Sequence, residues 1–85
     1  MMYSIVYKKG VEKQLENLPK TDYLRITEKI FQLADNPKPF GCKKLKGSIN
    51  EYRIRSGKYR IIYTITDEIL IVTIIKIAHR KDVYK

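Results

Sequence analysis

EYRIRSGKYRIIY, residues 51–63, decides the fold because it contains two strands and the turn that joins them. Apolar and basic side chains alternate on both sides of the Ser-Gly-Lys turn, with the period of two that is typical of β-strands. The apolar side chains share one face if Tyr52 lies opposite Tyr63 and Ile54 lies opposite Ile61. The stretch therefore predicts a β-hairpin with a defined register and one apolar face.

The same register brings three arginines together on the other face of the hairpin. Arg55 comes opposite Arg60, and Arg53 comes opposite Ile62. A like-charged pair at opposite positions is unfavourable by about 0.2–1 kcal/mol, and an anion between the two groups relieves the repulsion. Phosphate fits best, because the planar guanidinium group binds two of its oxygens at once. The alternative is that the three side chains simply extend into water.

The distribution of charge favours the phosphate interpretation. The chain has a net charge of +9, and residues 43–60 contain seven basic residues and one acidic residue. A basic block of this kind is typical of a surface that binds a polyanion, most often nucleic acid, although it also occurs as a solubilising surface. The lysines expected to contact RNA lie in this block and in the basic C-terminal segment: Lys43, Lys44, Lys46, Lys58 and Lys81.

The chain as a whole predicts a single domain, residues 1–85, with an α+β fold. The predicted elements are a strand at 3–7, helices at 11–18 and 22–36, a loop or short irregular strand at 37–48, and strands at 51–55, 59–66 and 69–78. The order is β-α-α-β-β-β, and tight turns make the last three strands of the sheet antiparallel. A helical hairpin is expected to cover one face of this sheet and to leave the face with the arginines uncovered.

The second helix is predicted from its first residue and from its apolar stripe. Thr21 precedes the helix and is expected to be its N-cap, because a threonine hydroxyl accepts a hydrogen bond from the first turn. The stripe expected to enter the core consists of Tyr23, Ile26, Ile30, Leu33 and Ala34.

The composition argues against several classes of protein. A single cysteine, Cys42, cannot form an internal disulfide, and one histidine without clustered carboxylates predicts neither a metal site nor a bound cofactor. The longest apolar run, residues 69–75, is far shorter than the roughly 20 residues that span a bilayer. The N-terminal residues contain no apolar h-region, so a cytoplasmic protein is expected.

The C-terminal segment supplies the remaining candidate groups. His79 is the only histidine, and its imidazole is either a catalytic or RNA-contacting group or a structural one. Arg80 follows it, and Tyr84 is expected either to stack on a base or to pack on the edge of the sheet. Cations, one imidazole and phenols suit a particular reaction, the cleavage of RNA by attack of the ribose 2′-OH on the adjacent phosphate.

Taken together, these residues resemble the RelE/ParE superfamily of bacterial and archaeal type II toxins over nearly the whole length. The matching stretches are LKGSINEYRIRSGKYRIIYTI (45–65) and IKIAHRKDVYK (75–85). The resemblance implies a ribosome-dependent endoribonuclease that cuts mRNA in the A site, without a metal, and is neutralised by a cognate antitoxin. It also implies which residues are catalytic, with Arg60 on the scissile phosphate and Tyr84 on a base: Arg53, Arg55, Arg60, His79, Arg80 and Tyr84.

The chain departs from the family pattern at the general base. RelE-like toxins carry lysines in the strand of Arg53 and Arg55, and one of those lysines is proposed to be the base. Arginine stays protonated at physiological pH, so it stabilises charge but does not accept a proton. We expect His79 to be the base, or else a lysine of the stretch that contains Lys43, Lys44 and Lys46.

Two other functions are compatible with the same pattern. The first is a ParE-like poison of DNA gyrase, which uses this fold to bind a protein. The second is a nucleic-acid-binding member of the fold without catalytic activity, which predicts salt-dependent RNA binding alone.

Overall fold

Five strands and two helices make up the fold in the computed structural model, which describes residues 2–47 and 50–79. In chain order the elements are β1 (Ser4–Tyr7), α1 (Val11–Glu16), α2 (Lys20–Gln32), β2 (Lys43–Lys44), β3 (Glu51–Ser56), β4 (Tyr59–Thr66), a 3-10 turn (Asp67–Ile69) and β5 (Ile71–His79). The α+β prediction is confirmed. The additional two-residue β2 lies inside the segment that was predicted as a loop or short irregular strand.

The strands form one sheet in the order β1-β5-β4-β3-β2. β3, β4 and β5 are antiparallel neighbours, as predicted from the tight turns. The short β2 is also antiparallel to β3, whereas β1 is parallel to β5. The β1–β5 pairing joins the two ends of the chain, with Ser4 opposite Ile71. Alternation within a strand gives no signal for such a distant partner, so the parallel edge was not predicted.

The register predicted for residues 51–63 is confirmed. Tyr52 is paired with Tyr63, Ile54 with Ile61 and Arg55 with Arg60. The hairpin loop consists of two residues, Gly57 and Lys58, because Ser56 and Tyr59 still form a pair. Gly57 has a φ of +58°, which a glycine adopts without steric cost and which suits the first central position of a two-residue hairpin turn.

The core lies between the helices and the apolar face that this register creates. Ile26, Ile30 and Leu33 of the second helical segment are buried against sheet residues that include Ile61 and Tyr63. The first helix lies against β5, where the backbone N–H of Ile77 donates a hydrogen bond to Gln14 Oε1 at 3.2 Å. No helix in the described part of the chain is long and apolar enough to cross a membrane.

The first helix ends at Glu16, two residues earlier than predicted, and three details of the α2 prediction are wrong. The N-cap of α2 is Pro19 rather than Thr21, and its carbonyl accepts a hydrogen bond from the N–H of Tyr23 at 2.9 Å. The helix ends at Gln32, four residues earlier than predicted. Tyr23 is 39% exposed rather than buried, because it lies at the margin of the apolar stripe beside α1.

The last strand also begins later than predicted. Asp67–Ile69 form a 3-10 turn, and Leu70 follows it with a φ of +54°. This left-handed residue reverses the chain, so that β5 starts at Ile71 instead of at residue 69.

The loop that leads into β2 is fixed to the sheet by a buried tyrosine. The Tyr63 hydroxyl donates a hydrogen bond to the carbonyl oxygen of Pro37 at 2.6 Å, and Cys42 Sγ lies 3.2 Å from the same hydroxyl. The Tyr52 ring stacks on Tyr63 with 6.0 Å between centroids, and Lys38 Nζ lies 5.3 Å from the centre of the Tyr52 ring. Burial, followed by the hydrogen bond with Cys42, raises the pKa of Tyr63, so this phenol stays protonated.

We expect Tyr63→Phe to destabilise the fold by about 1–3 kcal/mol, because it leaves the Pro37 carbonyl and the Cys42 thiol without their shared partner. Urea denaturation measures the change in the free energy of unfolding. Tyr23→Phe is the matched control, because it removes a hydroxyl from an exposed tyrosine and should have little effect. Equal denaturation midpoints for the two variants would contradict the anchoring role of Tyr63.

Candidate nucleic-acid interface

A row of cationic side chains crosses the sheet on the face opposite the helices. Lys43 of β2 is paired with Arg53 of β3, Arg53 with Ile62 of β4, and Ile62 with Lys76 of β5. Directly paired residues point to the same face, and neighbouring strands are about 4.8 Å apart. Three of the four positions in this row therefore carry positive charge over a span of about 14 Å.

A second row lies two residues further along β3, towards the hairpin turn. It consists of Arg55, Arg60 and Ala78, which are paired in that order across β3, β4 and β5. The small Ala78 side chain occupies the position beside Arg60. We use the term cationic face for the basic residues of the two rows: Lys43, Arg53, Arg55, Arg60 and Lys76.

The prediction that this face is uncovered is wrong at its centre. Arg53 is 8% exposed and Arg60 is 5% exposed, and the apolar Ile62 and Ala78 beside them are buried as well. Arg55, in contrast, is exposed. The guanidinium pair Arg55–Arg60 therefore combines one arginine held within the structure with one that faces solvent.

Sequence reasoning missed Lys76 as a member of this face. The β4–β5 ladder contains an irregularity between Ile62 and Tyr63, where Tyr63 pairs with Ile74 and one residue of β5 is skipped. Beyond the irregularity, from Lys76 to His79, each side chain lies on the face opposite to the one that simple alternation from the start of β5 predicts. Lys76 follows two isoleucines, so its position opposite Ile62 could be found only with the register known.

His79 lies on the other face of the sheet from the arginines. It is paired with Tyr59, and the two rings are in edge-to-face contact with 5.6 Å between centroids. Tyr59 packs against the core that lies under the helices, and the ladder is regular from Tyr59 to Ile62. The expectation that His79 accompanies the arginine cluster is therefore not supported by this register.

The predicted lysines occupy different positions. Lys43 belongs to the cationic face, whereas Lys44 is paired with Tyr52 and so lies on the helix-covered side of the sheet. Lys46 lies in the turn after β2 and Lys58 in the hairpin turn, and both are exposed. Three predicted residues fall outside the described residues, so nothing structural is said of them: Arg80, Lys81 and Tyr84.

A cavity of about 420 Å³ opens at the edge of β3, next to the cationic face. Its lining includes Arg53 and Arg55 from the sheet, Lys29 from α2, and Phe40 and Lys43 from the segment that enters β2. Within residues 2–47 and 50–79, no group of three His, Cys, Asp or Glu side chains is placed to hold a metal ion. The chemistry that the described site offers is therefore concentrated positive charge beside an aromatic ring.

Comparison with known proteins identifies the family of the chain. Residues 5–84 match the family described as "ParE toxin of type II toxin-antitoxin system, parDE". The chain belongs to the RelE/ParE toxin family.

Several members of this toxin family resemble the chain over nearly its whole length. The "Putative toxin RelE1" of Methanocaldococcus jannaschii is 38% identical, covering 100% of this chain and 98% of the relative. The toxin in the archaeal RelE–RelB complex from Pyrococcus horikoshii superposes with a TM-score of 0.83 at 35% identity, covering 94% of this chain and 97% of that chain. The "mRNA interferase toxin RelE" of Escherichia coli is 26% identical, covering 95% of this chain and 86% of the relative. The chain is thus a RelE-like toxin of a toxin–antitoxin system.

We expect Arg55→Thr to stabilise this RelE-like toxin by about 0.2–1 kcal/mol, because it removes the like-charged pair with Arg60 and places a β-branched residue in a strand. Urea denaturation at low ionic strength measures the gain. The electrostatic part of the gain should fall in concentrated salt, because salt screens exposed charges. A loss of stability at low salt would show that Arg55 is held by attractive contacts rather than placed against a repulsive one.

Proposed function

We propose that this toxin is an mRNA endoribonuclease that acts on mRNA in the ribosomal A site, and so in the cytoplasm. The observation that supports the proposal is the pairing of Arg55 with Arg60 directly beside Arg53 and Lys43 on one face of the sheet. A cluster of this kind suits a phosphate group, because each planar guanidinium group binds two phosphate oxygens at once. The relative named as an mRNA interferase agrees with this activity.

The proposed reaction is an internal displacement at phosphorus. The 2′-oxygen of the ribose forms a bond to the adjacent phosphorus, while the bond from phosphorus to the 5′-oxygen of the next nucleotide breaks. A base takes the proton from the 2′-hydroxyl, and a proton is delivered to the departing 5′-oxygen. Arg55 and Arg60 stabilise the negative charge that develops on the phosphoryl oxygens, because fixed donors aimed at this charge lower the barrier.

Lys43 is our candidate for the base. Its side chain shares a face with Arg53, and it also lines the cavity beside Arg55. Unlike a guanidinium group, an amine is able to give up its proton and accept another. His79 is the less suitable candidate, because its pairing with Tyr59 directs it to the opposite face. Arg80 and Tyr84 remain proposals that rest on the family resemblance.

The proposed partner besides mRNA and the ribosome is a cognate antitoxin. A RelE-like relative from Pyrococcus horikoshii was solved as a complex with RelB. An antitoxin for this chain would bring acidic side chains to the cationic face, where they would compete with phosphate for the same guanidinium groups.

A second candidate function is supported by the family description itself, which names ParE. In this alternative the toxin poisons DNA gyrase, and the cationic face contacts a protein or DNA instead of RNA. Its induction would produce DNA breaks while cellular mRNA stays intact. A member of the fold that only binds RNA would produce neither DNA breaks nor new RNA ends.

We expect controlled expression of the wild-type chain to produce new 5′ ends within translated codons, detected by primer extension on cellular mRNA. Arg55→Ala should reduce the rate of cutting by about 100-fold or more, because it removes one of the groups that stabilise the developing charge. Lys20→Ala, in the first turn of α2, is the matched control and should cut normally. DNA breaks with intact mRNA would favour the gyrase alternative, and cuts that persist when translation is blocked would refute ribosome dependence.

We expect Lys43→Arg to separate a base from a simple positive charge. The variant keeps the charge but cannot exchange a proton, so the rate of the cleavage step should fall by about 100-fold or more while binding of mRNA is retained. The measurement is the single-turnover rate of cleavage on programmed ribosomes, compared with that of His79→Gln. Full activity in Lys43→Arg together with a large loss in His79→Gln would restore His79 as the base.

A further inference from the structure

The cavity at the edge of β3 exists because β2 is only two residues long. Lys43 is the last residue that pairs with β3 in the direction of the hairpin turn, opposite Arg53. Gly41, two residues before it, has a φ of +89°, which turns the chain away from the sheet. Among the described residues, no strand lies beside Arg55 on this side, and the space between β3 and α2 is left open.

The walls of this cavity combine three kinds of chemistry. Lys29, Lys43 and Arg55 contribute positive charge, and none of the described lining residues is acidic. Gln32 contributes an amide that both donates and accepts hydrogen bonds. Phe40 contributes a phenyl ring with an exposure of 107%, which makes it the most exposed large apolar side chain among the described residues.

The aromatic ring is presented by a fixed segment rather than by a loose loop. Its segment is held on both sides of Phe40, at Pro37 by the Tyr63 hydroxyl and at Cys42 by the same hydroxyl. A ring exposed to this degree gains nothing from burial in the free protein. Both of its faces are available to a ligand, and single-stranded nucleic acids bind to exposed aromatic rings by stacking their bases.

The combination fits a nucleotide better than it fits an acidic peptide. A carboxylate would satisfy the cations but would leave the amide of Gln32 and the ring of Phe40 without a function. A nucleotide contacts all three kinds of group. Its phosphate binds the cations, its base stacks on the ring of Phe40, and the edge of its base forms hydrogen bonds with the amide of Gln32. The volume of about 420 Å³ lies within the range of about 300–1,000 Å³ in which small-molecule sites are found.

We propose that this cavity is a second RNA subsite, which binds a nucleotide next to the one whose phosphate lies at Arg55 and Arg60. The base stacks on Phe40, and a flanking phosphate contacts Lys29. Arg55 lines the cavity and belongs to the cationic face, so the RNA passes from one to the other around the edge of β3. The inference extends the proposed RNA-cleaving function and rests on the same class of ligand.

The test measures RNA binding in the purified toxin without cleavage. The chain contains no tryptophan, so Phe40→Trp introduces a single tryptophan at the proposed stacking position, and its fluorescence is excited selectively at about 295 nm. The probe is a single-stranded RNA tetranucleotide with 2′-O-methyl riboses, which cannot undergo attack by a 2′-hydroxyl. We expect this RNA to quench the tryptophan fluorescence in a saturable manner. Phe31→Trp is the control, because Phe31 is also exposed on α2 but does not line the cavity, and it should show no saturable quenching.

Two further variants test the ring and the charge separately. Phe40→Leu should weaken binding of the RNA by about fivefold or more, whereas Phe31→Leu should leave it unchanged. Lys29→Gln should reduce the slope of log K against log salt concentration by about 0.7, the value for one phosphate contact in a single strand. Lys20→Gln, on the same helix but outside the cavity, should keep the wild-type slope.

The inference is overturned if Phe40→Leu binds the RNA as tightly as the wild type, or if the wild type shows no saturable binding. It is also overturned if Phe40→Leu weakens binding of an oligoglutamate peptide but not of the RNA, because the cavity would then serve an acidic protein partner. The outcome of this binding test does not depend on whether the toxin cleaves mRNA. A toxin that cuts no mRNA but requires Phe40 for RNA binding would refute the enzyme and keep the subsite, and the reverse result would keep the enzyme and refute the subsite.

Discussion

The register of the β3–β4 hairpin is the constraint on which the rest of the structure depends. Tyr63 and Ile61 enter the core under the helices only when they face Tyr52 and Ile54 across the two strands. A shift by one residue would place the arginines in the core and the isoleucines in water. The hydrophobic effect therefore fixes the register, and the register in turn forces Arg55 and Arg60 to face each other.

This arrangement links stability to function in a simple way. Burial of the apolar face fixes the register, and the register places Arg55 and Arg60 at paired positions of β3 and β4 before any ligand binds. A binding site that is assembled before the ligand arrives loses little freedom when it binds, and it offers fixed charges to a phosphate. Burial limits the freedom of the Arg60 side chain before a ligand binds, whereas Arg55 faces solvent and is accessible to the ligand.

The sequence predicted the features that depend on local alternation and missed those that depend on distant partners. The hairpin register and the shared face of Arg53, Arg55 and Arg60 followed from the period of two in residues 51–63, and the α+β class followed from the order of the predicted helices and strands. The parallel pairing of β1 with β5 did not, because it joins segments from the two ends of the chain.

The missed parts of the candidate site have a similar cause. Lys76 reaches the cationic face through an irregularity in the β4–β5 ladder, and His79 is directed to the other face by its pairing with Tyr59. The cavity beside Phe40 depends on where β2 begins and on how α2 packs against β3. Neither feature produces a local pattern in the sequence. Burial of Arg53 and Arg60 likewise depends on tertiary packing rather than on alternation.

The chemistry of the RNA ends tests the central claim most directly, which is that the cationic face promotes attack of a ribose 2′-hydroxyl on the adjacent phosphate. The measurement maps new RNA ends after induction of the wild-type toxin, by ligation with and without prior treatment with polynucleotide kinase. The account predicts 2′,3′-cyclic phosphates upstream of each cut and 5′-hydroxyl ends downstream, so that downstream fragments are ligated only after kinase treatment. Downstream fragments that carry a 5′-phosphate would contradict it, as would the absence of new RNA ends in cells whose growth has stopped.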